Sequence, residues 1–323
     1  MLSLLFAPAL LPMASAPMPR ATFAAEGQAA CAAPIGIQPV VQGIRIEPLP
    51  TRDAELPGFR VTDEASGGWM NVYYEPAFER SARARVACLG AEIHLLAQET
   101  GGLWRNGRWF SVTFTPNTDY VPPRDEAELR WSIITDADGT LGEEAQHRIT
   151  IVMPHEQVHA FQKRAGAATP RWFGEGHAEW IGRKVASILS PDASRRNSAR
   201  YASLLAASAE APKLRSWGSV IVKQEAILRQ VSAADREKMR DDPTYAPPGP
   251  FTFGPADLTV DEGVREVRYQ AAWQVFRDLE TAHGAAAITD WVGTATAKPE
   301  KVKSIDLEQS ARGKLHEDIA RRL

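Results

Sequence analysis

Two histidines four residues apart, in His155-Glu156-Gln157-Val158-His159, constrain this chain more than any other feature. Residues at that spacing on an α-helix are displaced by about 40° around the axis, so both imidazoles leave one face and can hold a single metal ion. Glu156 lies one step round. There its carboxylate can take a proton from a water held at the metal without binding the ion itself. Met153-Pro154 puts a proline in the first turn, where a missing N–H costs least. A helix over 153–164 is therefore expected.

Two histidines leave a catalytic zinc site incomplete, because it takes three protein ligands and keeps one open position. The best third donor is Glu175, within Trp172-Phe173-Gly174-Glu175-Gly176-His177-Ala178-Glu179-Trp180. Gly166 and Pro170 mark a turn between this segment and the first helix, and a second helix over 171–189 would run back across it. Glu175 and Glu179 share one face of that helix, so one can ligate while the other orients a ligand histidine. A metzincin would need a histidine where Ala165 stands, which excludes that class. His177 lies about 200° round the helix from Glu175 and is expected at the surface or in support of a ligand.

This pair of motifs resembles the gluzincin zinc metallopeptidases, in particular the peptidase MA-like domain of secreted bacterial proteins. The resemblance implies a zincin-like fold, zinc bound by His155, His159 and Glu175, Glu156 as general base and Glu179 as a support. These domains often carry a tyrosine that opens a late helix, and the run from Tyr269 to Gly284 has that form, with Trp273, Phe276 and Leu279 at core spacing. Tyr269 is thus a candidate hydrogen-bond donor to the oxyanion of the transition state. It could equally be the first core residue of its helix. Tyr201 and Tyr245 open no such motif. The aminopeptidase substrate-gripping segment has only a superficial counterpart, Gly67-Gly68-Trp69-Met70-Asn71, which stands far upstream and lacks the required glutamate.

Residues 69–75 and 109–115 alternate as strands, 129–135 and 148–153 add two more, and 78–100 reads as a helix. The expected architecture is α+β: a small mixed sheet, then the histidine helix, then a mainly helical half. Residues 241–255 hold five prolines, cannot be regular structure, and are a candidate substrate wall. One catalytic domain over 61–323 accounts for the chain, with residues 17–60 as an extended tail.

At 323 residues, 44% hydrophobic and 24% charged, the chain can bury a substantial core. A net charge of −3 without a basic cluster argues against a nucleic-acid partner, and the resemblance implies a protein or peptide substrate. Residues 2–13 are apolar but too short to span a bilayer, and Ala14-Ser15-Ala16 fits a cleavage site, so 1–16 reads as an export signal despite lacking a leading positive charge. Ala29-Ala30-Cys31 is a weaker lipoprotein pattern. Cys31 and Cys88 could form one bridge in an exported protein or remain free thiols in the cytosol. The expected activity is zinc-dependent endopeptidase hydrolysis. The alternative is a noncatalytic binding protein on the same scaffold.

Overall fold

The computed structural model describes residues 20–50, 56–101, 109–116, 128–164, 168–209, 211–242, 244–297 and 301–323. The export segment, the expected turn position Gly166 and the metzincin position Ala165 lie outside the described residues.

The chain is mixed α+β, as its patterning predicts. Helix α1 (Arg20–Cys31) precedes strands β1 (Ile44–Pro48), β2 (Gly58–Asp63) and β3 (Trp69–Tyr74), and helix α2 (Glu79–Glu99) leads to β4 (Trp109–Thr115) and β5 (Glu128–Ile134). The five strands lie in sequence order. β1, β2 and β3 pair antiparallel, whereas β3–β4 and β4–β5 pair parallel, with Val72 beside Val112 and Val112 beside Trp131. A parallel pair needs a crossover, and α2 supplies the one between β3 and β4. It buries Val86, Leu89, Ile93 and Leu96 in the same core as Val61, Met70, Val72 and Phe110.

Residues 17–60 are not an extended tail throughout. The alanine-rich stretch forms α1, which buries Phe23, Ala30 and Cys31. A disulfide between Cys31 and Cys88 ties α1 to α2 with the Cα atoms 4.7 Å apart. β1 is an edge strand paired with β2.

The strand expected over 148–153 is also absent. Helix α3 (Glu143–His147) runs through a π-helical turn (Arg148–Val152) directly into α4 (Met153–Arg164). The β-branched run Ile149-Thr150-Ile151-Val152 suggests a strand by propensity. Pro154, however, sits inside a continuous helical segment, where it offers no N–H and its ring crowds the carbonyl four residues back. The widened turn, with Met153 N–H donating to the Arg148 carbonyl, accommodates that defect.

After α4 come α5 (Arg171–Leu189), α6 (Pro191–Ala206), strand β6 (Val220–Val222), α7 (Gln224–Leu228), α8 (Ala233–Asp241), strand β7 (Leu258–Val260), α9 (Arg265–His283), α10 (Ala285–Ala295) and α11 (Ser304–Leu315). The helical half therefore contains a small antiparallel ribbon, β6 against β7, which is too short for periodicity to reveal. In the proline-rich segment, Phe251 and Phe253 stack on each other with centroids 6.1 Å apart. α9 begins four residues earlier than Tyr269, so that tyrosine stands in the second turn. Among the described residues, no helix is long and apolar enough to cross a membrane.

Candidate metal centre

α4 and α5 cross where both present their polar faces. His155 and His159 project from α4, and Glu175, in the second turn of α5, meets them. The His155 Nε2 and His159 Nε2 atoms are 3.1 Å apart, and Glu175 Oε2 lies 3.3 Å from the first and 3.2 Å from the second. In a regular tetrahedron an edge of this length places the centre about 2.0 Å from each vertex, which matches zinc bonded to imidazole nitrogen and carboxylate oxygen. Glu175 Oε2 is buried and has no hydrogen-bond partner. The three residues could hold a metal ion, and among the described residues no other trio of such side chains converges in this way.

The outer ring nitrogens each face a different partner. His155 Nδ1 faces Glu179 Oε1 at 3.1 Å. Glu179 Oε2 in turn accepts from Arg183 Nε at 2.5 Å, and Arg183 donates to Gln270 Oε1 at 2.8 Å. The guanidinium is clamped over the rings of Trp273 and Tyr201. On the second histidine, His159 Nδ1 meets Gln162 Oε1 at 2.7 Å, and Gln162 donates to the Gly174 carbonyl at 2.7 Å. With protons on both Nδ1 atoms, both Nε2 lone pairs aim at the shared centre.

The electrostatics favour a cation. Burial opposes the His155 imidazolium, but the Glu175 and Glu179 carboxylates, helped by Glu156, push its pKa up to about 10. Burial would raise Glu175, yet the two imidazoles hold it well below the usual carboxylate range. Glu179 is lowered in the same manner, against burial, by His155 and Arg183.

Glu156 is partly exposed on α4 beside the two histidines. Tyr269 stands edge-on to the His155 ring, with centroids 5.8 Å apart, and edge-on to Trp217 at 5.1 Å. Burial and the Glu175 charge push the Tyr269 pKa up to about 12, opposed by Arg265, so its hydroxyl stays protonated near neutral pH. His177 is not at the surface. It is buried beside Trp180 and Phe276, with Nδ1 3.2 Å from Gln162 Nε2, and burial, then His159, lowers its pKa to about 3.

Sequence reasoning thus assembles the three donors and Glu179, and misses Gln162, Arg183, Gln270 and Trp217. Gln162 lies three residues after His159 and Arg183 four after Glu179, spacings that place each beside its partner on the helix. Gln270 and Trp217 come from distant segments and carry no local signal. A cavity of about 710 Å³ opens at His159 and Glu175 and is walled by Trp217, Val220 and Val260. The described residues of 241–255 do not line it, so the ribbon supplies the wall that the proline-rich segment was expected to form.

No protein-family model matches the chain and no curated protein matches it, so any functional reading rests on this geometry.

Proposed function

We propose that the chain is an exported zinc peptidase of the gluzincin type that hydrolyses internal bonds of protein or peptide substrates. One observation carries this reading: three donor atoms at tetrahedral-edge distances, one of them a buried carboxylate oxygen without a hydrogen bond, beside a glutamate on the same helix as the histidines.

A zinc ion held by His155, His159 and Glu175 would supply Lewis-acid chemistry and make water a nucleophile near neutral pH. Glu156 accepts the proton of the attacking water and passes it to the departing amine. Tyr269, protonated and edge-on to His155, donates a hydrogen bond to the oxygen on which charge develops. Glu179 and Gln162 keep the two imidazoles in the tautomer that ligation requires.

The test is elemental analysis of protein purified without chelator, coupled to cleavage of a peptide library. One zinc per chain is expected, lost in His159→Ala. Glu156→Gln keeps the shape of the side chain and loses its basicity, so zinc should remain while turnover drops by roughly two to four orders of magnitude. Undiminished zinc in folded His159→Ala, or full turnover in Glu156→Gln, overturns the assignment.

A further inference from the structure

The cavity beside the metal centre is strongly biased in charge. The chain as a whole carries a formal charge of −3. Yet Arg171, Arg215, Lys301 and Lys303 all line this one cavity, and among the described residues the only carboxylate lining it is Glu175, one of the three candidate metal donors. Two of the four cations already have partners. Arg171 pairs with Glu262, and Arg215 Nη2 lies 2.6 Å from Glu308 Oε1. Lys301 and Lys303 are exposed and form no ion pair with any described residue. They flank Val302, whose N–H donates to the Ala168 carbonyl at 3.0 Å and so fastens this stretch beside the start of α5, which carries Glu175.

We propose that this cavity selects acidic peptides, with Lys301 and Lys303 receiving carboxylate side chains of the substrate while its apolar groups lie against Trp217, Val220 and Val260. For turnover the proposal rests on the peptidase reading; for binding it does not. The apolar wall and two ammonium groups without an ion pair among the described residues favour a peptide over nucleic acid, which needs a longer run of cations along its phosphates. The lysines are solvated, so they contribute a salt-dependent preference rather than an absolute requirement.

The test uses two fluorescein-labelled peptides that differ only in glutamate for glutamine. Binding to the Glu156→Gln protein is read by anisotropy and cleavage by the wild type as kcat/KM. The acidic peptide should bind and be cleaved about tenfold better at low salt, with the advantage shrinking as salt rises. Lys301→Glu with Lys303→Glu should abolish that advantage and leave the glutamine peptide within about twofold of its original value. Equal binding of both peptides, an equal loss for both in the double variant, or stronger competition from a single-stranded oligonucleotide than from the acidic peptide overturns the proposal. Preferential binding of the acidic peptide without cleavage of either supports the cavity's selectivity and sinks the peptidase reading alone.

Discussion

Gln162 stands against the outer nitrogen of His159 as Glu179 does against that of His155, but with a neutral amide in place of a carboxylate. The Glu175 and Glu179 carboxylates raise the basicity of His155, and His155 together with the Arg183 guanidinium keeps Glu179 ionised. Tyr269 faces this side of the centre. Its ring packs against His155 and Trp217, so Tyr269→Phe preserves the packing and deletes only the hydroxyl. If that hydroxyl stabilises the transition state, kcat should fall by a factor equivalent to about 3 kcal/mol, with KM and zinc content unchanged. An unaltered kcat would leave Tyr269 as a core residue. A second buried acid tests the back of the same helix. Glu92, fully buried in α2, accepts from Gln157 Nε2 at 2.7 Å, and burial pushes its carboxyl well above the usual range despite that bond. The native chain then holds a proton that the unfolded chain has released, across the interval from the ordinary carboxylate pKa up to the raised native one. Stability therefore falls as pH rises through that interval. Glu92→Gln should raise the thermal midpoint near neutral pH and flatten its fall with increasing pH; an unchanged slope would place the ionised form in the native core. The three candidate metal donors were legible because chemistry restricts them to few residue types at fixed spacing. Glu92 was not, because inside an alanine- and leucine-rich helix a glutamate looks like a solvated face until the sheet is placed against it.

Helix ends and crossings decide whether those residues meet. α5 spans the residues predicted for it because Pro170 stands at its N-cap and the apolar stripe Trp172, Phe173, Trp180, Ile181, Val185 sustains a helical period. The π-helical turn before α4 defeated the same reasoning, since its β-branched residues follow strand preference and only the requirements of Pro154 within a continuous helix select the wider turn. α1 escaped notice because its few large apolar residues have little amphipathic pattern of their own. The crossing of α4 and α5 depends on Gly182. A Cβ there would lie 2.9 Å from both Cα and N of His155, closer than side chains pack, and the obstacle is backbone that cannot rotate away. Gly182→Ala should push the helices apart beneath a ligand and weaken zinc binding roughly ten- to a hundredfold, the range seen when a ligand loses its orienting contacts. Gly313→Ala is the control, because nothing lies within 4 Å of its would-be Cβ in α11. It should leave zinc affinity intact. Competition against a chromogenic chelator measures both, and equal affinities in the two variants would mean that the crossing tolerates more separation than the geometry indicates.

Across the whole molecule, the centre is braced from behind by part of a segment that reads as an extended tail. α1 lies against both α2 and α5: Gln28 Nε2 donates to the Ile188 carbonyl at 2.6 Å, and a Cβ on Gly27 would meet Leu189 Cδ2 at 2.6 Å. The Cys31–Cys88 bridge fixes α1 on α2 across a sequence separation of 57 residues. Such a bridge persists in an oxidising compartment, in keeping with the proposed export. Closing a loop of that length removes unfolded-chain entropy worth about 4 kcal/mol in the chain-entropy account, and both sulfurs are buried in the main core. Cys31→Ala with Cys88→Ala should therefore lower the free energy of unfolding by roughly 2–5 kcal/mol, read as an earlier urea midpoint. Reduction of the wild type should move its midpoint in the same direction. Zinc stoichiometry in the folded double variant should hold, since neither cysteine contacts a ligand and α5 keeps its packing against α4 and α9. A midpoint unchanged by both treatments would show that α1 is held by its packing alone. Loss of zinc from the folded double variant would show instead that the position of α5, and with it Glu175, is set through the bridge.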